Sequence, residues 1–218
     1  MTAPTHRIRK LMATGMAMIV GLIAIPVAQA DSMRAECGFS SSAGERPGEE
    51  LTASGQCELS YGAISFMVQA SANSSINQLR IQPAGLTVDN SALNAELDGT
   101  AYRAELADLD ANGWPELYVY VSSAGSGSYG SLVAYAVNNG KSVSPIYLPP
   151  MELSPEALEG YMGHDEFAVV ENRLVRRFPI YHEGDTNAAP SGGTRQLQYR
   201  LEAGEAGWVL QVDRVVEY

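Results

Sequence analysis

The chain of 218 residues carries 25 acidic against 14 basic side chains, a formal charge of −11 at pH 7. That balance argues against a nucleic-acid partner and against an anionic membrane surface, and it suits a cationic partner, a bound cation, or plain solubility. Two cysteines, with no CxxC and no Cys/His cluster, leave no zinc or dithiol redox site to read.

Residues 1–30 have the order of a secretory signal. Arg7, Arg9 and Lys10 come without an acid, the apolar stretch "MAMIVGLIAIPVA" follows, and Ala28-Gln29-Ala30 precedes Asp31. The apolar core is short for a membrane span and ends at Pro26; a lipoprotein junction would need cysteine where Asp31 stands. Cleavage after Ala30 is expected to leave a soluble periplasmic protein, free of the membrane. The segment holds 3 of the 14 basic residues and none of the 25 acids, so its loss takes the formal charge to −14.

Residues 31–60 are polar and read as a leader. Cys37 and Cys57 lie there, and an even pair in an oxidising compartment predicts a disulfide. Residues 61–218 read as one domain with β patterning. Ser65–Gln69, Gln78–Ile81, Ala101–Leu106, Leu117–Val121, Leu132–Val137, Phe167–Val170, Leu174–Phe178, Gln196–Leu201 and Trp208–Val212 are short apolar or alternating runs. Asp98-Gly99, Asn112-Gly113, Asn139-Gly140, Gly184-Asp185 and Ser191-Gly192-Gly193 separate them with turn chemistry. The expected fold is all-β: an antiparallel β-sandwich of about eight strands with a protruding Gly/Ser-rich loop. At most one short helix is expected, with Ser154 as cap and Pro155 in the first turn.

Ahead of Leu117 lies Asp108-Leu-Asp110-Ala-Asn112-Gly113-Trp-Pro-Glu116. Oxygen ligands at the first, third, fifth and ninth places with glycine at the sixth resemble a short calcium loop, and Val119 at the twelfth rules out an EF-hand. Asp108, Asp110, Asn112 and Glu116 would be the side-chain ligands of a structural Ca2+, with the Trp114 carbonyl as a fifth. The same residues also fit an Asn-Gly turn whose acids are satisfied by water.

After Val121 comes "SSAGSGSYGS". Gly125-Ser-Gly127-Ser-Tyr-Gly130 matches G-x-G-x-x-G, but a dinucleotide turn needs a helix next and an acid about twenty residues on. Here a strand and an Asn-Gly turn follow, and "SPIYLPP" has no acid. Ser128 lacks the glycine of a nucleophile elbow at Ser126, and nothing local places His164 or His182 beside either serine. The expectation is therefore no enzyme and no catalytic residue. The loop reads either as a display, with Tyr129 as a large contact on a glycine base, or as a hairpin with Tyr129 packed back on the sheet.

The segment "ELYVYVSSAGSGSYGSLVAYAVNNGKSVSPIYLPP", with "GHDEFAVVENRLVRRFPIY" and "GGTRQLQYRLEAGEAGWVL", resembles the periplasmic inhibitors of i-type (invertebrate) lysozyme. The likeness runs over roughly Ser65 to Val212 and is poor in residues 31–60. It implies an antiparallel sandwich whose Ser-Gly-x-Tyr loop, here Ser126-Gly127-Ser128-Tyr129, enters the lysozyme cleft. The partner implied is i-type lysozyme and the role is protection of peptidoglycan. A calcium-stabilised saccharide-binding or adhesion module of the cell envelope is the alternative, and an exported hydrolase a third reading. Self-association into a homodimer stays open. Arg176 and Arg177 are expected in ordinary ion pairs on opposite strand faces. Trp208 and Phe178 are expected in the core, and Trp114 at the surface.

Overall fold

A computed structural model describes residues 36–39, 54–151 and 155–218. The expected signal, most of the leader, and the Ser154 cap lie outside the described residues. Within them the chain is all-β. The strands are β1 (Glu36–Gly38), β2 (Ser54–Tyr61), β3 (Ile64–Ser71), β4 (Ile76–Ala84), β5 (Leu93–Asp98), β6 (Thr100–Ala107) and β7 (Glu116–Ser122). They continue with β8 (Gly130–Asn138), β9 (Ser142–Tyr147), β10 (Glu166–Val170), β11 (Arg173–Pro179), β12 (Thr194–Ala203) and β13 (Trp208–Glu217). One helical turn, α1 (Pro155–Leu158), begins at the expected proline.

All nine apolar runs lie inside strands, and β1, β2, β5 and β9 add to the expected number. β2 and β5 are the edges of a four-stranded sheet, β2-β3-β4-β5, and β1 is an edge of a nine-stranded sheet, β1-β6-β7-β8-β9-β13-β12-β11-β10. Edge strands bury one face or less, so their apolar signal is thin. β9 contains Pro145, which has no N–H to give a ladder. The sandwich is also not wholly antiparallel. After β9 the chain crosses to the far edge, then meanders back through β10, β11 and β12 until β13 lies parallel to β9, pairing Trp208 with Ile146 and Val209 with Tyr147.

The polar leader expected over 31–60 does not stay apart from the domain. β1 pairs with β6 and β2 pairs with β3, so the two ends of this stretch belong to different sheets. The Cys37–Cys57 disulfide joins them and therefore staples one sheet to the other.

Two cores lie on either side of β7. Leu117, Val119 and Val121 pack with Phe66, Val68, Leu79, Ile81 and Leu97 of the small sheet. Tyr118 and Tyr120, on the opposite face by the two-residue period of a strand, pack with Phe167, Leu174, Phe178, Leu197, Tyr199 and Leu210. The large sheet thus curls so that its β10–β13 half covers the face of β7 that the small sheet leaves. Phe178 is core as expected; Trp208 is half-buried and donates from Nε1 to Asn138 Oδ1 at 3.2 Å. Trp114 is half-buried as well, packed against the small-sheet core, so it is less open than its turn position implied.

A link of sequence separation 20 removes loop-closure entropy worth about 3 kcal/mol from the unfolded chain. Reduction, or Cys37→Ser with Cys57→Ser, should lower unfolding stability in urea by about that amount. A loss below about 0.5 kcal/mol would mean that the two sheets do not need the staple.

Candidate functional site

The Gly/Ser-rich stretch is the connection between β7 and β8, closed at its base by the Ser122–Gly130 pair. Ser123 N donates to Tyr129 O at 2.9 Å, Tyr129 N donates to Ser123 Oγ at 3.0 Å, and Ser128 N donates to Gly125 O at 3.0 Å. These bonds make the loop a defined turn. Ser126 is exposed, and Tyr129 is 49 % exposed with its ring edge against Tyr161 at 5.6 Å. Tyr129 thus combines features of both readings: its ring contacts Tyr161 and lies against Gly127, and about half of the residue is open to solvent.

The loop is braced from behind by two distant segments. His164 N donates to Gly127 O at 2.6 Å, and Asn187 Nδ2 donates to Ser126 O at 2.9 Å. The close approach depends on Gly163, whose φ is +92° and whose added Cβ would stand 2.1 Å from Gly127 O. Gly127 itself is not left-handed. Its lack of a side chain matters because a Cβ there would lie 2.5 Å from the Tyr129 ring. The left-handed positions are Ser128, at φ +43°, and His164, at φ +58°. Non-glycine residues held there cost of order 1–3 kcal/mol each and persist only where the surroundings over-determine them.

Under the brace sits a buried ion pair. Arg176 Nε donates to Asp165 Oδ1 at 2.6 Å; the Asp165 side chain is fully buried and that of Arg176 is 8 % exposed. Tyr161 OH donates to Asp165 Oδ2 at 2.6 Å and accepts from Arg176 Nη2 at 2.8 Å. Asp165 Oδ2 also accepts from Gly130 N at 2.7 Å, at the foot of the loop. Burial, the leading cause, and the Asp165 carboxylate together push the Tyr161 hydroxyl up, and Asp165 outweighs burial to hold Arg176 charged. Arg176 is therefore more than an ordinary surface ion pair, while Arg177 meets its neighbour Gln196, donating from Nε to Oε1 at 2.6 Å. A charged residue inside the apolar run Leu174–Phe178 was the only trace of this network in the sequence.

The acidic loop lies ahead of β7. Carboxylate oxygens of Asp108, Asp110 and Glu116 come within 4.8 Å of one another. Asp108 accepts from Asn112 N at 3.0 Å and from Gly113 N at 2.9 Å, and Glu116 Oε2 accepts from Leu109 N at 2.8 Å. Asn112 is engaged in the turn instead: its Oδ1 accepts from Trp114 N at 2.7 Å and its Nδ2 donates to Asp110 Oδ2 at 2.8 Å. Burial first, then the charges of Asp110 and Asp108, push the Glu116 carboxyl up to about 8.

The histidines do not meet the loop serines. His164 Nε2 engages Asn187 Oδ1 at 3.2 Å and His182 Nδ1 engages Ser191 Oγ at 3.2 Å. Asp185 holds this serine, accepting from Ser191 Oγ at 2.9 Å, whereas a nucleophilic triad uses its acid to orient the histidine. No family model, curated protein or solved structure matches the chain.

Removing one partner of a buried ion pair strands the other charge and costs about 3–5 kcal/mol. Arg176→Met should cost that much in urea unfolding. A loss under about 1 kcal/mol would place the pair in water rather than under the loop.

Proposed function

We propose that this protein inhibits an i-type lysozyme by inserting the Ser126-Gly127-Ser128-Tyr129 loop into the enzyme's active-site cleft. The observation that carries the reading is a loop exposed at Ser126 and Tyr129 and hydrogen-bonded from behind through Gly127 O and Ser126 O. A mobile loop would pay roughly 1–2 kcal/mol for each residue whose backbone is fixed on binding, and a loop with a braced backbone avoids much of this. The resemblance of the segments around the loop to inhibitors of i-type lysozyme supports the same reading and names the partner.

The chemistry of the target fits the loop. A glycosidase cleft presents a pair of carboxyl groups, one protonated as general acid, along a groove shaped for a sugar chain. The Ser126 hydroxyl can hydrogen-bond to a carboxyl there. The Tyr129 ring fills a sugar subsite, and its hydroxyl meets a polar wall. Val or Leu in place of Gly127 would collide with the Tyr129 ring before it met the enzyme. The acidic chain, with a formal charge of −11, speeds encounter with a cationic lysozyme and adds less to the final affinity. The reactive groups of the enzyme are covered, not modified, so this chain supplies no catalytic residue.

Titration against i-type, c-type and g-type lysozymes tests the reading, with inhibition of the i-type expected. Tyr129→Ala and Ser126→Ala should each weaken inhibition by about 2 kcal/mol, roughly thirtyfold, with Tyr129→Phe between wild type and alanine. Their melting points should stay within about 2 °C of wild type, because neither side chain is in the core. Unchanged inhibition by Tyr129→Ala would remove that side chain from the plug. Retention on peptidoglycan without any inhibition would favour the saccharide-binding module.

A further inference from the structure

The end of the acidic loop places two polar side chains where water does not reach. Glu116 is 1 % exposed, and Tyr118, two residues on along the same face of β7, is 0 % exposed. The Tyr118 hydroxyl lies close to the Glu116 carboxylate, yet no hydrogen bond of ordinary geometry reaches it from any described residue. An unpartnered buried hydroxyl is uncommon and calls for a specific cause. Here it stands beside the point where three carboxylates converge.

We propose that Asp108, Asp110 and Glu116 bind a calcium ion, with the Tyr118 hydroxyl as the buried polar partner behind the site. Calcium takes oxygens at about 2.3–2.6 Å, so two oxygens of one shell lie at most about 5 Å apart. Ligand oxygens within 4.8 Å of one another meet that limit. The donor set is oxygen alone, which disfavours zinc and copper; the irregular loop suits calcium better than magnesium, which demands near-ideal octahedral geometry. The backbone amides of Asn112 and Gly113 hold Asp108 in place, and each carboxylate oxygen they use keeps a second lone pair. A divalent cation also removes the repulsion that three converging acids otherwise carry. The site is independent of the inhibitory reading, because its residues lie before and at the start of β7, and the Ser126 loop follows the end of that strand.

Protein stripped with EDTA and titrated with calcium chloride tests this by calorimetry and by melting. Wild type should bind calcium and melt about 5–10 °C higher once the ion is a hundredfold above its dissociation constant. Asp110→Asn should melt as wild type does in EDTA and lose the response to calcium. Tyr118→Phe, which removes only the unpartnered hydroxyl, should melt no lower than wild type in EDTA yet bind calcium several-fold more weakly. Equal melting points for wild type in EDTA and in excess calcium would overturn the site, as would an Asp110→Asn protein with the full response. An equal shift with magnesium would overturn the assignment to calcium.

Discussion

Complete burial of β7 on both faces is the constraint on which the rest of the molecule depends. From Glu116 to Val121 every residue is buried, in a strand whose neighbours are antiparallel. Antiparallel sheets usually leave one face to water, so a strand apolar on both faces demands two covers. The four-stranded sheet supplies one through Phe66, Val68, Leu79, Ile81 and Leu97. The other comes from the same sheet as β7, curled round so that Phe167, Phe178, Leu197 and Tyr199 meet Tyr118 and Tyr120. Curling, the long crossover after β9, and the parallel pairing of β13 all follow from that second demand.

Curling leaves the outer edge of β10 without a ladder partner, and side chains of β6 take that role. Tyr102 OH accepts from Phe167 N at 3.4 Å, Arg103 donates to Phe167 O, and Glu105 accepts from Val169 N at 3.2 Å. Glu105 is 0 % exposed and also accepts from Tyr120 OH at 2.8 Å, so the seam between the side chains of β6 and the β10 edge ties directly to β7. Polar groups here protect an edge that would otherwise recruit another strand. The Asp165–Arg176 pair lies at the start of β10 and makes a second polar junction. It links β11, the start of β8 and the Tyr161 ring, and it leaves the backbone of the Ser126 loop little room to move.

What could be read from the sequence was what is local. The apolar runs from Ser65–Gln69 to Trp208–Val212 predicted nine strands because each buries at least one face along its own length. β1, β2 and β5 escaped notice as edges, and β9 because Pro145 contradicts a strand pattern. Asp108, Asp110 and Glu116 were legible as a group since one short stretch of sequence, the turn ahead of β7 and the first residue of the strand, carries them all. The Ser126–Tyr129 loop was legible as unusual, but its brace was not. Asn187 stands 61 residues from Ser126, Asp165 stands 35 from Gly130, and only the packing of β10 and β11 brings them near. The glycine-rich composition of the loop pointed to backbone freedom, whereas the left-handed residue of the loop is Ser128 and Gly127 serves by lacking bulk.

The two ends of β7 divide the chemistry of the molecule. At its start the buried Glu116 carboxyl lies under Asp108 and Asp110, a cluster of charge at the mouth of an apolar strand. At its end Ser122 pairs with Gly130 and releases the loop that carries Ser126 and Tyr129. A strand of this length spans about 20 Å, more than the screening length at physiological salt, so the charges at one end scarcely influence contacts at the other. What passes between them is mechanical. Both ends hang from a strand held by two cores, so an ion at the acidic end can deepen the stability of the fold without changing the shape of the loop. The loop in turn can be altered at its exposed side chains without cost to the strand, since its backbone is held by His164, Asn187 and Asp165 rather than by the side chains it displays.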